Sequence, residues 1–181
     1  DNHCAVGGYP ALVPKAEIIA RTGGVYNGIS LTGSVVGTVV LTGRGAGQDP
    51  TAGSVISDIV DVVKANNGIS EGIKLKHVSP EECKPAKAVE IEGSFYLRLT
   101  VEDRPGQLAK VAECLAEHDV SLATVSQSPK NDSSTASIIL TTHDTNEHSI
   151  NLAIESLERL NGVKEKPVLF RVFDPDSFSK E

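Results

Sequence analysis

A run of small residues lies where a predicted strand leads into a predicted helix. Gly45, Ala46 and Gly47 directly follow Arg44. Small residues at such a turn let backbone N–H groups and the positive end of the helix approach an anion or a cofactor ring. The same residues also suit a tight turn packed against a neighbouring strand. The run is not the dinucleotide fingerprint, because no GxGxxG follows a first strand with an acid about 20 residues later.

A second candidate site lies between the first strand and the first helix of the C-terminal half, where residues 103–108 read DRPGQL. The N–H groups near Gly106, Gln107 and Leu108 are at a helix start, and they suit a carboxylate. Asp103 is placed to pair with an ammonium group. The two features together predict a site for the zwitterion of an α-amino acid. The alternative is that Asp103 caps the turn and Pro105 only begins the helix.

Other catalytic and metal-binding patterns are absent from the sequence. The five histidines lack metal-ligand spacing, and no serine lies in a G-x-S-x-G elbow, so we predict no metal site. Cys114 follows apolar helix positions and is interpreted as a small core residue. Cys4, Cys83 and Cys114 are far apart and form no CxxC pair, which predicts a reducing, cytoplasmic setting.

Composition and charge exclude several classes of protein. The 181 residues carry 17 basic and 24 acidic side chains, a net charge of −7, which argues against a nucleic-acid surface. No apolar run approaches the roughly 20 residues of a membrane span, and no signal segment opens the chain. The chain contains no methionine and begins directly with strand-like residues. We therefore expect it to be a fragment of a longer protein.

The N-terminal part, residues 1–75, is predicted to form strands followed by one helix. Two β-branched runs, Val25–Leu31 and Val35–Leu41, flank Thr32–Ser34, which is typical of a hairpin. A helix should follow, with Asp49 as its cap and Pro50 at its first position. Its apolar face is broad enough to predict burial on two sides. The sequence Asn66-Asn67-Gly68 should end this helix.

The C-terminal part alternates between strand and helix patterns. Residues 76–93 are rich in proline and charge and are interpreted as a linker. Residues 94–174 follow the order βαββαβ, and 175–181 form a tail. The two helices each carry apolar residues at i, i+3, i+4 and i+7. They should cover one face of a four-stranded antiparallel sheet.

Two long stretches resemble the C-terminal part of the homoserine dehydrogenase family. In the first, residues 9–15 read YPALVPK, 24–29 read GVYNGI, 41–47 read LTGRGAG and 57–61 read SDIVD. In the second, 95–101 read FYLRLTV and 103–109 read DRPGQLA, which is similar to the ACT domain of many bacterial members. The resemblance implies an α/β (α+β) fold. A partial β-sheet segment with a return helix precedes a ferredoxin-like ACT domain.

The resemblance also implies an oxidoreductase that interconverts L-homoserine and L-aspartate 4-semialdehyde with NAD(P), in threonine, methionine and isoleucine biosynthesis. The family's turn glycines lie against the cofactor. This implies Gly45, Ala46 and Gly47 as cofactor-binding residues, with Arg44 and Thr51 beside them. The family's GxGxxG unit, substrate-binding acids and proton-donor lysine are not in this sequence. No catalytic residue is therefore expected here, and the chain alone should be inactive and bind no cofactor.

For the ACT domain, the resemblance implies a small amino-acid effector, threonine above all, and a homo-oligomer that joins ACT sheets side by side. The implied effector-binding residues are Asp103, Gly106, Gln107 and Leu108, which face Ser121, Leu122 and Ala123 of a partner. One alternative is a non-catalytic amino-acid-sensing ACT module. Another is the regulatory tail of a different ACT-bearing enzyme, such as aspartokinase or phosphoglycerate dehydrogenase.

Overall fold

The computed structural model describes residues 3–4, 6–33, 35–68, 84–87, 89, 91–129 and 134–174. Contacts divide the chain into a larger unit, drawn from residues 1–13 and 83–181, and a smaller unit, 14–82. In chain order the strands and helices are β1 (His3–Cys4), β2 (Ala11–Leu12), β3 (Tyr26–Gly33), β4 (Gly37–Arg44), α1 (Gln48–Asn66), β5 (Lys84–Pro85), β6 (Glu92–Gly93), β7 (Phe95–Glu102), α2 (Gln107–Ala116), β8 (Leu122–Pro129), β9 (Thr135–Thr142), β10 (Thr145–Asn146), α3 (Glu147–Glu158) and β11 (Val168–Val172).

Five strands of the larger unit form one sheet in the order β2-β11-β7-β9-β8. The pairs β11–β7, β7–β9 and β9–β8 are antiparallel, whereas β2 lies parallel to β11 at the edge. Apart from β2, this is the predicted βαββαβ unit with a ferredoxin-like strand order. The predicted fold class is confirmed.

The core of the larger unit is aliphatic and lies on the face of the sheet that α2 and α3 cover. Alternate residues of β7 and β9 are buried, because successive side chains of a strand point to opposite faces. Each helix contributes one apolar stripe, as its spacing predicts. The buried apolar residues are Phe95, Leu97, Leu99, Val101, Val111, Cys114, Leu115, Val120, Ala136, Ile138, Leu140, Ile150, Ala153 and Leu157.

The first two strands pair with the larger unit, although the sequence analysis grouped residues 1–75 together. β1 pairs with β5, and β2 pairs with β11. Pro10 and Pro14 flank β2, and its edge position is the one expected of a strand bounded by prolines. β5 and β6 fall within the predicted linker 76–93, of which 76–83 lie outside the described residues. The predicted tail, 175–181, also lies outside them.

The smaller unit contains the predicted hairpin, with its turn shifted along the chain. β3 and β4 pair without interruption from Tyr26 opposite Arg44 to Gly33 opposite Gly37. The predicted turn at Thr32–Ser34 is therefore wrong, since Thr32 is still in the ladder, and Ser34 itself lies outside the described residues. The hydroxyls of Thr32 and Thr38 lie 3.0 Å apart across the strands and extend the pairing.

The start of α1 also differs from the prediction. The helix begins at Gln48, and Gly47 occupies the N-cap with a φ of 125°. The predicted Asp49 cap is wrong, because no side chain caps this helix and Asp49 lies in its first turn. Pro50 is tolerated there because first-turn amides have no intrahelical acceptor. The helix ends before Gly68, whose φ is 67°, as predicted.

The expected burial of α1 on two sides is not found in this chain. None of its residues is buried. Its large apolar side chains are between 41% and 61% exposed; they are Val55, Ile56, Ile59, Val60, Val62 and Val63. Despite this apolar surface, no helix in the described part of the chain has the length and apolarity needed to cross a membrane.

Candidate functional site

The glycine turn, residues 45–47, is held against the start of the hairpin. The amides of Gly45 and Ala46 both donate to the carbonyl of Val25, at 2.9 and 3.3 Å. These two N–H groups therefore donate within the chain. The sequence had instead suggested that they could approach an anion or a cofactor ring. Among the described residues, the amides of Gln48 and Asp49 at the helix start have no acceptor, and they keep the positive end of α1 open.

Close packing explains why the turn needs a glycine. A Cβ at Gly45 would overlap the side-chain amide of Asn27 on β3. The other nominated residues of this site also have partners in the chain. The Arg44 guanidinium lies 5.9 Å from the Tyr26 ring centroid, and the Thr51 hydroxyl donates to the Gly47 carbonyl at 2.8 Å. The geometry thus matches the alternative of a tight turn packed on a strand, and residues 45–47 are exposed.

The second site, the β7–α2 loop of residues 103–108, has open donors at the start of α2. Gly106 occupies the N-cap with a φ of 84°, a conformation that favours glycine. Among the described residues, the amides of Gly106 and Leu108 have no hydrogen-bond acceptor. Asp103 is exposed, and its backbone N–H donates to the Ser134 carbonyl at 3.0 Å. No side chain, that of Asp103 included, caps the start of α2. Two amides and a carboxylate are therefore available at one loop.

Gln107 takes a different place from the one the resemblance implies. Its side chain is buried, and Nε2 donates to the carbonyl of Asn161 at 2.9 Å. Gly162, with a φ of 100°, has no room for a Cβ, because that atom would overlap the Gln107 amide. Gln107 therefore fastens the loop to the segment after α3. No short-range pattern in the sequence indicates this contact, because its two residues are 54 positions apart.

Charged residues hold the base of the same loop. Lys164 Nζ lies 2.5 Å from one carboxylate oxygen of Glu102, and Arg104 lies 3.4 Å from the other. The hydrogen bond from Lys164 lowers the pKa of Glu102 against the opposing effect of partial burial, and the charge of Arg104 lowers it further. The backbone N–H of Glu102 also donates to Gly162 at 2.8 Å. Both ends of the loop are thus tied to residues 161–164.

The structure does not bring Ser121, Leu122 and Ala123 to the β7–α2 loop within one chain. Along β9, Glu102 is opposite Thr135, whereas Leu122 is opposite Thr142. Seven residues of strand separate these positions, about 24 Å at about 3.4 Å per residue. The two halves of the implied effector site therefore lie at opposite ends of the sheet within one chain.

The remaining reactive side chains have structural surroundings. Cys114 is buried in the core, and burial raises the pKa of its thiol, which fits the predicted core role. His118 Nε2 lies 2.8 Å from the Ser156 hydroxyl and links α2 to α3. Within the described ranges, no group of three or more histidine, cysteine or acidic residues could hold a metal ion.

Comparison with known proteins gives two family matches. Residues 95–162 match the ACT domain, which gives the class of domain formed by this part of the larger unit. Residues 4–60 match the homoserine dehydrogenase family. Together the two matches confirm the resemblance inferred from the sequence, and the chain is related to the homoserine dehydrogenases that carry an ACT domain.

Individual relatives agree. The chain is 36% identical over 170 residues to the homoserine dehydrogenase of Pseudomonas aeruginosa and 34% identical over 164 residues to that of Helicobacter pylori. Each match covers 91% of this chain but only 39% and 38% of the relative. A solved homoserine dehydrogenase from Thiobacillus denitrificans superposes with a TM-score of 0.77 and 30% identity, over 97% of this chain and 40% of that one. The chain spans about two fifths of the length of these relatives.

Proposed function

We propose that this chain is the C-terminal section of a homoserine dehydrogenase, the NAD(P)-dependent oxidoreductase that interconverts L-homoserine and L-aspartate 4-semialdehyde in the cytoplasm. The observation that carries the proposal is the order of its parts. A glycine turn and its helix precede an ACT domain, and both are alignable with homoserine dehydrogenases over 91% of the chain. The product would feed threonine, methionine and isoleucine synthesis.

The apolar surface of the smaller unit supports a larger protein. The hairpin and α1 leave large aliphatic side chains exposed along both elements. Soluble domains rarely expose such contiguous apolar surface, so its exposure points to a covering element. A nucleotide-binding region on the rest of the polypeptide is the covering element that the proposed function requires.

In this proposal the glycine turn contributes to the cofactor site because its side chains are small or absent. Gly45, Ala46 and Gly47 offer a flat surface for a nicotinamide cofactor, and the close packing of Gly45 on Asn27 keeps that surface fixed. Arg44 and Thr51 flank it. The groups that hold the pyrophosphate and polarise the aldehyde are supplied elsewhere, because hydride transfer needs them placed together. The chain alone is therefore catalytically inactive and binds no cofactor.

The ACT domain supplies regulation by a small amino acid, threonine as the end product of the pathway. Asp103 pairs with the ammonium group, and the open amides of Gly106 and Leu108 receive the carboxylate. Gln107 does not contact the effector but holds the loop in place through its hydrogen bond to the Asn161 carbonyl. Coupling of about 1–3 kcal/mol between this site and the catalytic region is enough for useful inhibition.

The effector site is completed by a second copy of the chain. β8 is an eight-residue edge strand whose residues after Leu122 are all exposed. A two-fold axis perpendicular to β8 at this edge makes two β8 strands antiparallel, which brings Ser121–Ala123 of one copy to the end of the sheet that holds the other copy's loop. This homodimer joins the ACT sheets side by side. It also removes a long unpaired edge.

The test uses the complete polypeptide that contains this chain. We expect it to reduce NAD(P)+ with L-homoserine, and the 181-residue chain to show no turnover in the same assay. The Asp103→Ala variant should keep its kcat and lose inhibition by threonine, whereas Glu113→Ala, an exposed acid on α2, should change neither. Threonine binding without dehydrogenase activity in the complete polypeptide would favour a non-catalytic sensing module instead.

A further inference from the structure

Residues 9–12, here called the strap, lie beside β11 at the edge of the sheet. The strap includes β2, and the chain enters the smaller unit directly after it, at Pro14. Ala11 pairs with Arg171 and Leu12 with Val172 in the β2–β11 ladder. The Phe173 amide adds a hydrogen bond of 2.8 Å to the Leu12 carbonyl.

The Arg171 guanidinium contacts the strap through the Tyr9 ring, and it also contacts three residues outside the strap. The group lies 4.9 Å from the Tyr9 ring centroid and 5.0 Å from that of Phe95. Its two terminal nitrogens lie 3.3 Å from a Glu147 carboxylate oxygen and 3.3 Å from the Glu92 carbonyl. The side chain is only 12% exposed. Nη1 donates to the Glu92 carbonyl, whereas Nη2 contacts Glu147 as an ion pair without hydrogen-bond geometry. A planar cation that lies over aromatic rings while one of its nitrogens donates to a carbonyl suits arginine better than lysine.

Gly93 belongs to the same arrangement. A Cβ at this position would lie 2.8 Å from Nη1 of Arg171. The guanidinium therefore occupies space that a glycine leaves open beside β6, and its position is fixed from several sides.

β11 connects the strap to the effector loop. Four residues before the first residue of β11, Lys164 pairs with Glu102 at the base of the β7–α2 loop, and the Lys164 amide donates to the Thr100 carbonyl at 2.9 Å. Its C-terminal end carries Arg171. One strand, paired along β7, thus joins the loop that faces the effector to the residue that holds the strap.

We infer that Arg171 is a positioning residue for regulation: through the strap it couples effector binding at the ACT sheet to the unit that carries the glycine turn. The inference rests on the proposed function. It requires that a displacement of the loop is carried by β11 to Tyr9 and β2. The chain then passes it directly into the smaller unit.

The experiment uses the complete dehydrogenase polypeptide with L-threonine as the probe. Arg171→Gln should bind threonine by calorimetry with a dissociation constant within about twofold of the wild type. Its maximal inhibition at saturating threonine should fall to less than about half of the wild-type value, with kcat in the absence of threonine little changed. Tyr9→Leu should weaken inhibition in the same direction. Arg171→Lys keeps the charge but not the stacking and should restore inhibition only in part. The matched control is Arg98→Gln, an exposed arginine of β7.

Each other outcome overturns the inference. If threonine inhibited the Arg171→Gln variant as strongly as the wild type, Arg171 would have no role in coupling. Loss of threonine binding together with inhibition would show a merely structural residue, and an equal effect of Arg98→Gln would show a general effect of charge. A wild-type enzyme that responds to none of threonine, homoserine, methionine, lysine and serine would overturn the regulatory part of the proposed function as well.

Discussion

At the scale of single residues, the buried side-chain amide of Gln107 requires a glycine at position 162. The Gln107 side chain fills the space beside the Gly162 Cα and satisfies the Asn161 carbonyl. We expect Gly162→Ala to lower the free energy of unfolding by about 2–4 kcal/mol, because the new Cβ meets both an unfavourable φ and a buried amide. Chemical denaturation followed by circular dichroism measures the loss.

The matched control for this prediction is Gly106→Ala. Gly106 also has a positive φ, 84°, but a Cβ there meets no atom within 4 Å. This variant should lose only the conformational contribution, about 1 kcal/mol. Adding Gln107→Ala to Gly162→Ala should recover part of the loss. Equal losses for the two glycine variants would show that the contact with Gln107 carries no weight.

Glu102 gives a prediction about pH at the same scale. Because Lys164 and Arg104 lower its pKa in the folded state, Glu102 adds stability above its unfolded pKa, and that stability is lost as pH falls through the lower folded value. We therefore expect Glu102→Gln to be less stable than the wild type near pH 7, and we expect this difference to shrink as pH falls through the folded pKa. Urea denaturation at pH 7, 5, 4 and 3 measures the difference. A difference independent of pH would contradict the role of the ion pairs.

At the scale of elements, β8 is the strand that the proposed dimer depends on. Val125 lies in its middle and is 47% exposed. We expect Val125→Lys to raise the dimer dissociation constant by about tenfold or more, since like charges would then lie close together across the two-fold axis. Sedimentation equilibrium measures the constant. Leu152→Lys, on the exposed side of α3, is the control and should leave it unchanged.

The elements also show where sequence patterns were sufficient. The alternation in β7 and the apolar spacing of α2 and α3 predicted their type and their buried faces. The turn of the hairpin and the cap of α1 were predicted wrongly, because both choices compare local propensities of similar size. At Thr32 the cross-strand threonine pair extended the ladder, and at Gly47 a glycine replaced a side-chain cap.

At the scale of the whole molecule, the larger unit has a closed core while α1 of the smaller unit has no buried residue. We expect the 181-residue chain to bind a hydrophobic dye and to scatter light on concentration, since exposed apolar patches promote association. Ile59→Lys should reduce both signals measurably. Ser57→Lys adds the same charge to the same helix and should reduce them less. Equal effects of the two variants would attribute the change to net charge alone.

The sequence alone determined the parts of this protein that depend on short-range patterns. These are the βαββαβ order, the aliphatic core positions and the family resemblance, because each is encoded in spacing and residue type along a few turns or strands. Tertiary structure decided which groups meet. It directed the amides of Gly45 and Ala46 to Val25, buried Gln107 behind its loop, placed β2 beside β11, and set Ser121 at the far end of the sheet from Asp103. Such contacts join residues distant in sequence, and no local pattern records them.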